Sequence, residues 1–191
     1  MDCGQEKKNI RRACLKARDS LSPAQRKRGD VLLTERILGH QWYYRAEYIL
    51  CFVSFGSEIS TWDILCTALE AGKKVYVPKV LREDTPKMCF CRIRSMEELT
   101  RGYRGIPEPR DVSEVYVYTE DMAERTLLLM PGAAFDRYRN RLGYGKGFYD
   151  RYLADKPGLQ LHTIAVGYLC QLTGELPVSD TDIRPSQVIC V

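Results

Sequence analysis

The hydrophobic and polar positions of the first forty residues follow helical spacing. Within residues 5–19, Ile10, Ala13, Cys14 and Ala17 lie on one face of a helix and basic residues lie on the other, which predicts an amphipathic helix. A serine followed by a proline, at 22 and 23, is typical of a helix N-cap and first turn. We therefore expect a second helix that runs to about residue 39.

Apolar runs rich in β-branched and aromatic residues predict the strands of a sheet. These runs are residues 46–55, 73–80, 87–93, 125–135, 161–168 and 187–191. Thr61 is expected to cap a helix that ends at Gly72, and another helix is expected over roughly 147–154. RGIPEPR has two prolines in three residues and predicts an extended loop. Alternating strands and helices predict one α/β domain over residues 1–191, with a mostly parallel sheet covered on both faces.

Composition narrows the class of protein without deciding it. The 191 residues include 29 basic and 25 acidic side chains, a net charge of +4. No apolar run approaches the about 18 residues needed to cross a bilayer, and the charged N-terminus lacks the apolar core of a secretion signal. We therefore expect a cytoplasmic protein that binds no membrane. The small basic excess argues against a dedicated nucleic-acid binder and suits a small anionic substrate.

The chain has eight cysteines and no CxxC pair. Cys89 and Cys91 would lie on the same face of a strand, which is poorly suited to a tetrahedral zinc site. A reducing compartment also disfavours disulfides. We expect free thiols that mostly fill the core.

The stretch RLGYGKGFYD, residues 141–150, carries glycines at 143, 145 and 147 just before the predicted short helix. Glycines let a backbone approach an anion closely, and the first N–H groups of a helix are free to bind one. Arg141 and Lys146 carry charges that suit phosphate oxygens. The pattern is neither GxGxxG nor a Walker loop, and a tight turn with two solvated cations explains it equally well.

Other charged residues each permit two interpretations. Asp150, about one turn beyond the loop, suits a Mg²⁺ ligand or an acid favoured by the helix dipole. Glu58, between a strand and a helix cap, suits an acceptor for the N–H groups of a flat ring, or a surface acid; Glu108 permits the same two interpretations. Lys7 and Arg11 share one face of the first helix, where they meet a nucleotide phosphate or stay solvated.

Three further groups are open to interpretation. Asp180 and Asp182 are expected to be exposed loop acids, with metal contact as the less favoured alternative. Neither histidine has a serine or cysteine context, so no catalytic triad is predicted. Aromatic residues around the glycine loop form part of the core or stack on a flat substrate; they are Tyr144, Phe148, Tyr149 and Tyr152.

Residues 130–153, MPGAAFDRYRNRLGYGKGFYDRYL, closely resemble the signature of the 5-formyltetrahydrofolate cyclo-ligase family, P-G-x-A-F-D followed by R-L-G-Y-G-x-G-[YF]-Y-D-R. Weaker elements match in the same order across nearly the whole chain: Lys7 and Arg11 as K-x-x-x-R, then SEIST, GKKVYVPKV, GIPEP, IAVGYLCQL and LPVSDTD. Some positions depart from the usual family residues: Ser57, Ser60, Arg139 and Thr181 replace other residues, and an acid expected near Ser186 is missing.

The resemblance implies a three-layer α/β/α sandwich with a mostly parallel sheet, similar to the ribose-5-phosphate isomerase and CoA-transferase-like fold. It also implies an ATP- and Mg²⁺-dependent conversion of 5-formyltetrahydrofolate to 5,10-methenyltetrahydrofolate. In that reaction the formyl oxygen is phosphorylated, the 10-nitrogen attacks the formyl carbon, and phosphate leaves. The expected partners are a small folate substrate and ATP, bound by a monomer.

The resemblance further implies a role for each site residue. Catalysis is assigned to Arg141, Lys146 and Tyr149, and the metal to Asp150 and Asp182. The folate is assigned to Phe55, Glu58, Met130 and Tyr149. ATP is assigned to Lys7, Arg11, Arg141, Gly143, Tyr144, Gly145, Lys146 and Gly147.

Three alternatives remain at this stage. A sugar-phosphate isomerase or deaminase on a similar fold would use no ATP and would need a general base near the glycine loop. A small nucleotide- or RNA-binding module would need a concentrated basic stripe interleaved with aromatic residues. A nucleotide-binding paralogue would keep the scaffold and lack the reaction.

Overall fold

The computed structural model describes residues 3–82 and 87–191. Its helices are α1 (Cys3–Asp19), α2 (Pro23–Leu38), α3 (Gln41–Arg45), α4 (Trp62–Glu70), α5 (Glu120–Ala123), α6 (Phe148–Leu153) and α7 (Pro157–Gln160). Its strands are β1 (Tyr48–Cys51), β2 (Lys74–Arg82), β3 (Lys87–Ile93), β4 (Leu99–Arg101), β5 (Pro107–Pro109), β6 (Thr126–Pro131), β7 (Ala134–Phe135), β8 (Arg141–Leu142), β9 (Thr163–Gly167) and β10 (Gln187–Cys190).

A six-stranded sheet with the order β10-β9-β6-β1-β2-β3 forms the centre of the fold. The neighbours from β10 to β2 are parallel, and β3 is antiparallel to β2 at one edge. The prediction of a mostly parallel sheet is confirmed. The carboxyl ends of β1, β2 and β6 therefore open on the same side, where ligands bind in sheets of this kind.

Helices cover both faces of the sheet because its central strands are apolar on both sides. In β6, Leu127 and Leu129 pack in a cluster with residues of α2, α3 and α4. Leu128 and Met130 point to the opposite face, into a cluster with residues of α6 and α7. The alternation of a buried strand thus builds two cores, and the result is the three-layer arrangement that was expected.

The first half of the chain contains both accurate and inaccurate predictions. Ser22 caps α2 with a complete capping box, and Gly72 follows α4 with a φ of +72°, as expected. The strand predicted over 46–55 is limited to β1. Thr61 explains this, because its hydroxyl donates to the Phe52 carbonyl and accepts from the Ser54 N–H at 3.1 Å. Its side chain holds this loop instead of capping α4.

The prediction of an extended loop over RGIPEPR was wrong. β5 pairs antiparallel with β4, with Thr100 opposite Glu108. The two prolines of β5 cannot donate to a ladder, which makes the segment look like a loop when it is considered alone. Its partner strand lies several residues earlier, and local sequence does not show that pairing.

The cysteines behave as expected. All eight are free, and Cys89 and Cys91 lie on one face of β3 with their Sγ atoms 3.4 Å apart. Within residues 3–82 and 87–191, no three His, Cys, Asp or Glu side chains form a metal-binding group. In the same residues, no helix combines the length and apolar character that crossing a bilayer requires.

Candidate functional site

A cleft of about 360 Å³ opens at the carboxyl ends of β1, β2 and β6. The loop after β1, the β4–β5 hairpin and the glycine loop 143–147 all contribute to its walls. Its polar lining residues are Arg18, Glu58, Tyr103, Arg104, Glu108, Tyr144, Lys146 and Tyr149, and Phe55, Pro131 and Phe148 are among the apolar ones. The fold therefore brings together segments that are more than ninety residues apart in the chain.

Glu58 lies at the centre of a hydrogen-bond network in this cleft. Its Oε2 accepts the Phe55 N–H at 3.0 Å, and the Tyr144 hydroxyl donates to its carboxylate. Arg18 donates to the same hydroxyl at 2.7 Å and to Ser57 Oγ at 3.0 Å. Burial raises the pKa of Glu58, and the hydrogen bonds offset that rise only in part. A partly desolvated carboxylate of this kind is a strong acceptor for the N–H groups of a flat ring.

Tyr149 lies deep in the cleft, at the start of α6. Burial, together with the nearby acidic groups, raises its pKa well above the usual value for tyrosine, so the phenol stays neutral and can donate a hydrogen bond. The guanidinium of Arg141 lies 5.6 Å from the centre of its ring. Arg141 also donates to Asp150 Oδ1 at 2.9 Å and to the Pro131 carbonyl at 3.2 Å. Arg141, the one arginine predicted to be catalytic, therefore lies beside the floor of the cleft.

The glycine loop has the conformation that its composition predicts. Gly145 has a φ of +98° and Gly147 a φ of +61°, which side chains with a Cβ rarely adopt. Gly147 is the N-cap of α6, so the loop leads directly into the helix. Lys146 is exposed between these glycines and lines the cleft. The loop is a tight turn that presents Lys146 to the cleft, whereas the side chain of Arg141 is buried and paired with Asp150; phosphate binding by the loop stays a prediction.

The first helix reaches both the glycine loop and the C-terminal loop. Arg11 Nε donates to the Gly143 carbonyl at 2.8 Å. Lys7 forms an ion pair with Asp182, whose other partners include the Ser179 N–H. Burial alone would raise the pKa of Asp182, but hydrogen bonds from Lys7 and Ser179 outweigh it and hold that pKa below the usual range. Asp182 is thus half-buried and ion-paired, and is not the exposed loop acid that was expected.

A second cavity, of about 310 Å³, adjoins Arg141 on the side of the C-terminal loop. Its lining residues are Asn140, Arg141, Val178, Ser179, Asp180, Asp182, Ile183 and Arg184. The Ile183 N–H donates to Asp150 Oδ1 at 3.2 Å, so both predicted metal ligands border this region. Each of them is paired with a predicted phosphate-binding cation. This alternation of cations and carboxylates suits phosphate oxygens held beside a divalent metal ion.

Two predicted site residues lie elsewhere than expected. Met130 is fully buried and packs in the core, while the next residue, Pro131, borders the cleft. Strand alternation explains this placement, so the expectation that Met130 contacts the folate was wrong. Tyr144, expected at ATP, bonds with its hydroxyl to Arg18 and Glu58 on the cleft side.

Three residues that border or support the site were missed. Arg18 follows Arg11 by seven positions, which places it on the same face of α1, and that spacing was a usable signal. Arg104 lines the cleft from the β4–β5 hairpin. Asp136 is 2% exposed, and its carboxylate accepts hydrogen bonds from Tyr138, Asn140 and Leu176 around the start of the glycine segment.

Three of the positions that depart from the family pattern, Ser57, Arg139 and Ser186, make defined contacts in the structure. Arg139 adopts a φ of +69°, a conformation that favours glycine, and its guanidinium donates to the Ser186 carbonyl at 2.7 Å. Ser186 itself bonds to Thr163 and Gln160. Ser57 Oγ accepts a hydrogen bond from Arg18, which lines the cleft, and donates one to Asp19. Two of the departing positions therefore contact each other beside the second cavity.

Residues 3–191 match the model of the 5-formyltetrahydrofolate cyclo-ligase family. A 5-formyltetrahydrofolate cyclo-ligase of Mus musculus is 31% identical over 93% of this chain and 90% of its own length. A protein of the same name from Escherichia coli (strain K12) is 30% identical over 90% of this chain and 93% of its own length. The NMR structure of Aquifex aeolicus 5,10-methenyltetrahydrofolate synthetase is similar with a TM-score of 0.80 and 26% identity, covering 96% of this chain and 89% of that one.

Proposed function

The chain belongs to the 5-formyltetrahydrofolate cyclo-ligase family, and from this premise we propose how its cleft and glycine loop divide the reaction. It is a cyclo-ligase that converts 5-formyltetrahydrofolate to 5,10-methenyltetrahydrofolate. The observation that carries the proposal is the position of Lys146, which lines the same cleft as Glu58 and Tyr149. A loop suited to phosphate thus borders a cleft suited to a flat, hydrogen-bonding ring.

The chemistry requires activation of the formyl group. The oxygen of a formamide is a poor leaving group, and transfer of a phosphoryl group from ATP to that oxygen makes it a good one. The 10-nitrogen then attacks the formyl carbon and loses its proton, the carbon–oxygen bond breaks, and phosphate and ADP are released. Positioning and charge compensation are sufficient for these steps, so no nucleophile of the protein is required.

The folate side of the cleft positions the substrate. Glu58 accepts hydrogen bonds from ring N–H groups, and Phe55 supplies an apolar wall at the mouth. Tyr149, a neutral phenol, donates a hydrogen bond near the formyl group. Together these contacts place the 10-nitrogen beside the formyl carbon.

The phosphate side combines a glycine loop with cations from several elements. Lys146 and Arg141 stabilise the charge of the transferred phosphoryl group, while Gly143, Gly145 and Gly147 admit the phosphates to the backbone. Lys7 and Arg11 of α1 close over the nucleotide. The buried Nε of Arg141 has no hydrogen-bond partner among the described residues, so the guanidinium retains a donor for such a ligand.

Mg²⁺ fits the donors that are present. Asp150 and Asp182 supply carboxylate oxygens, which this ion prefers, and nucleotide phosphates and water would complete its shell. A bound Mg²⁺ would neutralise phosphate charge during the transfer. Because the described residues contain no larger cluster of metal ligands, we propose that the ion is held jointly with the nucleotide.

Three further parts of the proposal concern the oligomeric state, the cellular compartment and the type of fold. We propose a monomer that acts in the cytoplasm, and a fold of the ribose-5-phosphate isomerase and CoA-transferase-like type. Size-exclusion chromatography with light scattering tests the monomer. The family match disfavours the sugar-phosphate isomerase and RNA-binding alternatives. The activity assay below distinguishes an active enzyme from a nucleotide-binding paralogue that lacks the reaction.

The test is a spectroscopic assay with 5-formyltetrahydrofolate, ATP and Mg²⁺, which follows the near-UV absorbance of the conjugated methenyl product. We expect product only when ATP is present; folded protein that forms none would contradict the proposal.

Lys146→Ala should raise the KM for ATP and lower kcat. The melting temperature should be unchanged, because the side chain is exposed. Lys27→Ala, at an exposed position of α2, is the matched control and should behave as wild type.

A further inference from the structure

The mouth of the cleft is crossed by one short segment, residues 103–105, which connects β4 with β5. Tyr103 meets the ring of Phe148 edge to face, with the ring centres 6.2 Å apart. On the opposite side, a Cβ added at Gly105 would lie 3.7 Å from Phe55 Cζ. The segment therefore spans from the loop after β1 to the start of α6, and three aromatic rings surround the opening.

The chemistry of the lining residues changes from the floor to the mouth. Glu108 is 5% exposed and Glu58 is partly buried, so acceptors lie at depth. Phe55, at 46% exposure, belongs to the aromatic collar. Arg104 is exposed and lines the cleft beyond that collar. From the floor to the mouth, a molecule bound lengthwise would therefore face acceptors, then aromatic rings, then a positive charge.

Arg104 is held in place by an unusual backbone. Its φ of 51° and ψ of 25° lie in the left-handed region, which favours glycine. The turn is fixed because Gly102 packs directly on Glu108, where a Cβ would lie 2.4 Å from Oε2. The guanidinium lies over the Tyr103 ring at 5.4 Å. Among the residues that the structure describes, no carboxylate forms an ion pair with Arg104. An arginine in a position that suits glycine is a candidate for a functional role.

We propose that Arg104 binds a carboxylate of the glutamate tail of 5-formyltetrahydrofolate, and so makes the enzyme select substrates with that tail. This inference rests on the proposed function. The order of groups in the substrate, a hydrogen-bonding bicyclic ring, a benzoyl ring and a dicarboxylate, is the order of acceptors, aromatic rings and cation in the cleft. A guanidinium binds a carboxylate in a two-pronged geometry that a lysine lacks.

The experiment compares two substrates that differ only in the tail. 5-Formyltetrahydrofolate carries the glutamate, and 5-formyltetrahydropteroate lacks it. Calorimetric titration gives the Kd of each for wild type, Arg104→Gly and Arg104→Gln, and the absorbance assay gives kcat and KM. Arg104→Gly keeps a residue suited to the left-handed backbone, so a loss of binding in this variant does not arise from a distorted hairpin.

For wild type we expect the glutamate form to bind about 10-fold more tightly than the pteroate form, a typical difference for one charge-assisted contact near the surface. Both Arg104 variants should lose this preference, with a higher KM for the glutamate form and an unchanged kcat, because the contact is the same in ground and transition states. Arg101→Gln is the matched control: Arg101 is exposed on the same hairpin, does not line the cleft, and its variant should keep the preference.

The results separate the two proposals. If the Arg104 variants retain the wild-type preference, or if wild type shows none, the inference about Arg104 is wrong even when the enzyme makes product. If wild type binds and discriminates but forms no product with ATP, the proposed reaction is wrong and the assignment of Arg104 to tail binding is supported. If Arg101→Gln loses the preference as well, a general change of the hairpin explains the loss, and the specific role of Arg104 is refuted.

Discussion

Removal of the Asp136 carboxylate should destabilise the protein more than any exposed substitution. Oδ1 accepts the N–H groups of Tyr138 and Asn140 at 2.9 and 2.8 Å. Oδ2 accepts the Asn140 side-chain amide at 2.7 Å and the Leu176 N–H at 3.0 Å. One carboxylate thus joins the turn before the glycine loop to the C-terminal loop, and Asp136→Ala removes all four bonds.

The magnitude follows from how many of these donors water can reach. Asn140 is 7% exposed and Leu176 is 3% exposed, so three donors would be left buried without a partner. Tyr138 is 43% exposed, and water can replace the carboxylate at its N–H. At about 1 kcal/mol for each buried donor, the free energy of unfolding should fall by about 3 kcal/mol. For a chain of this size that corresponds to a melting temperature lower by about 10 °C.

Urea denaturation at pH 7, with melting curves in parallel, measures this loss. Asp136→Asn should be intermediate, since its amide nitrogen would face two donors in place of Oδ2. Asp155→Ala is the control, because that side chain is 80% exposed and should leave the unfolding free energy unchanged.

The same contacts predict a pH dependence. Burial alone would raise the pKa of Asp136, but the hydrogen bonds outweigh it and lower that pKa below its usual value. The stabilisation is therefore present above the unfolded-state pKa of about 4 and is lost as the pH falls through the lower folded-state value. The difference between wild type and Asp136→Ala should shrink accordingly. A stability of Asp136→Ala equal to that of Asp155→Ala would refute the reasoning.

The remaining predictions concern the cleft and the glycine loop. Glu58→Gln should raise the KM for the folate. In wild type, this KM should also rise as the pH falls through the raised pKa of Glu58, and the Gln variant should lack that rise. If the KM of the variant at pH 7 equals that of wild type, Glu58 is not the ring acceptor. Because the folded-state pKa of Glu58 is raised, wild type loses stability as the pH rises from the unfolded value of about 4.3 through the folded one, and the Gln variant should gain in relative stability over that window in urea titrations. Gly145→Ala should strain a backbone with a φ of +98° and raise the KM for ATP, whereas Gly72→Ala, at a φ of +72° remote from the cleft, should cost about 1 kcal/mol of stability with normal kinetics; equal kinetics in the two variants would show that Gly145 has no role in phosphate binding.

Much of the fold follows from local sequence, because the determining interactions are short-range. A short apolar run such as residues 87–93 is ambiguous between helix and strand, yet β3 begins and ends at the residues predicted, 87 and 93. Helix α2 begins after Ser22 since the capping box lies within four residues. The glycine loop is likewise local: its positive φ angles and the start of α6 depend on glycines and the residues beside them.

The chain by itself therefore determined the helices, most strands, the phosphate-suited loop and the family, since each depends on neighbouring residues or on a long signature. Only the tertiary structure decided which residues meet. Lys7 and Asp182 pair across 175 positions, and Arg18 reaches Tyr144 across 126. The packing of α6 and α7 on the sheet buried Met130 in the core, and pairing with β4 placed Arg104 at the mouth of the cleft. Such contacts depend on how the layers pack, and the local pattern of apolar and polar residues does not determine that packing.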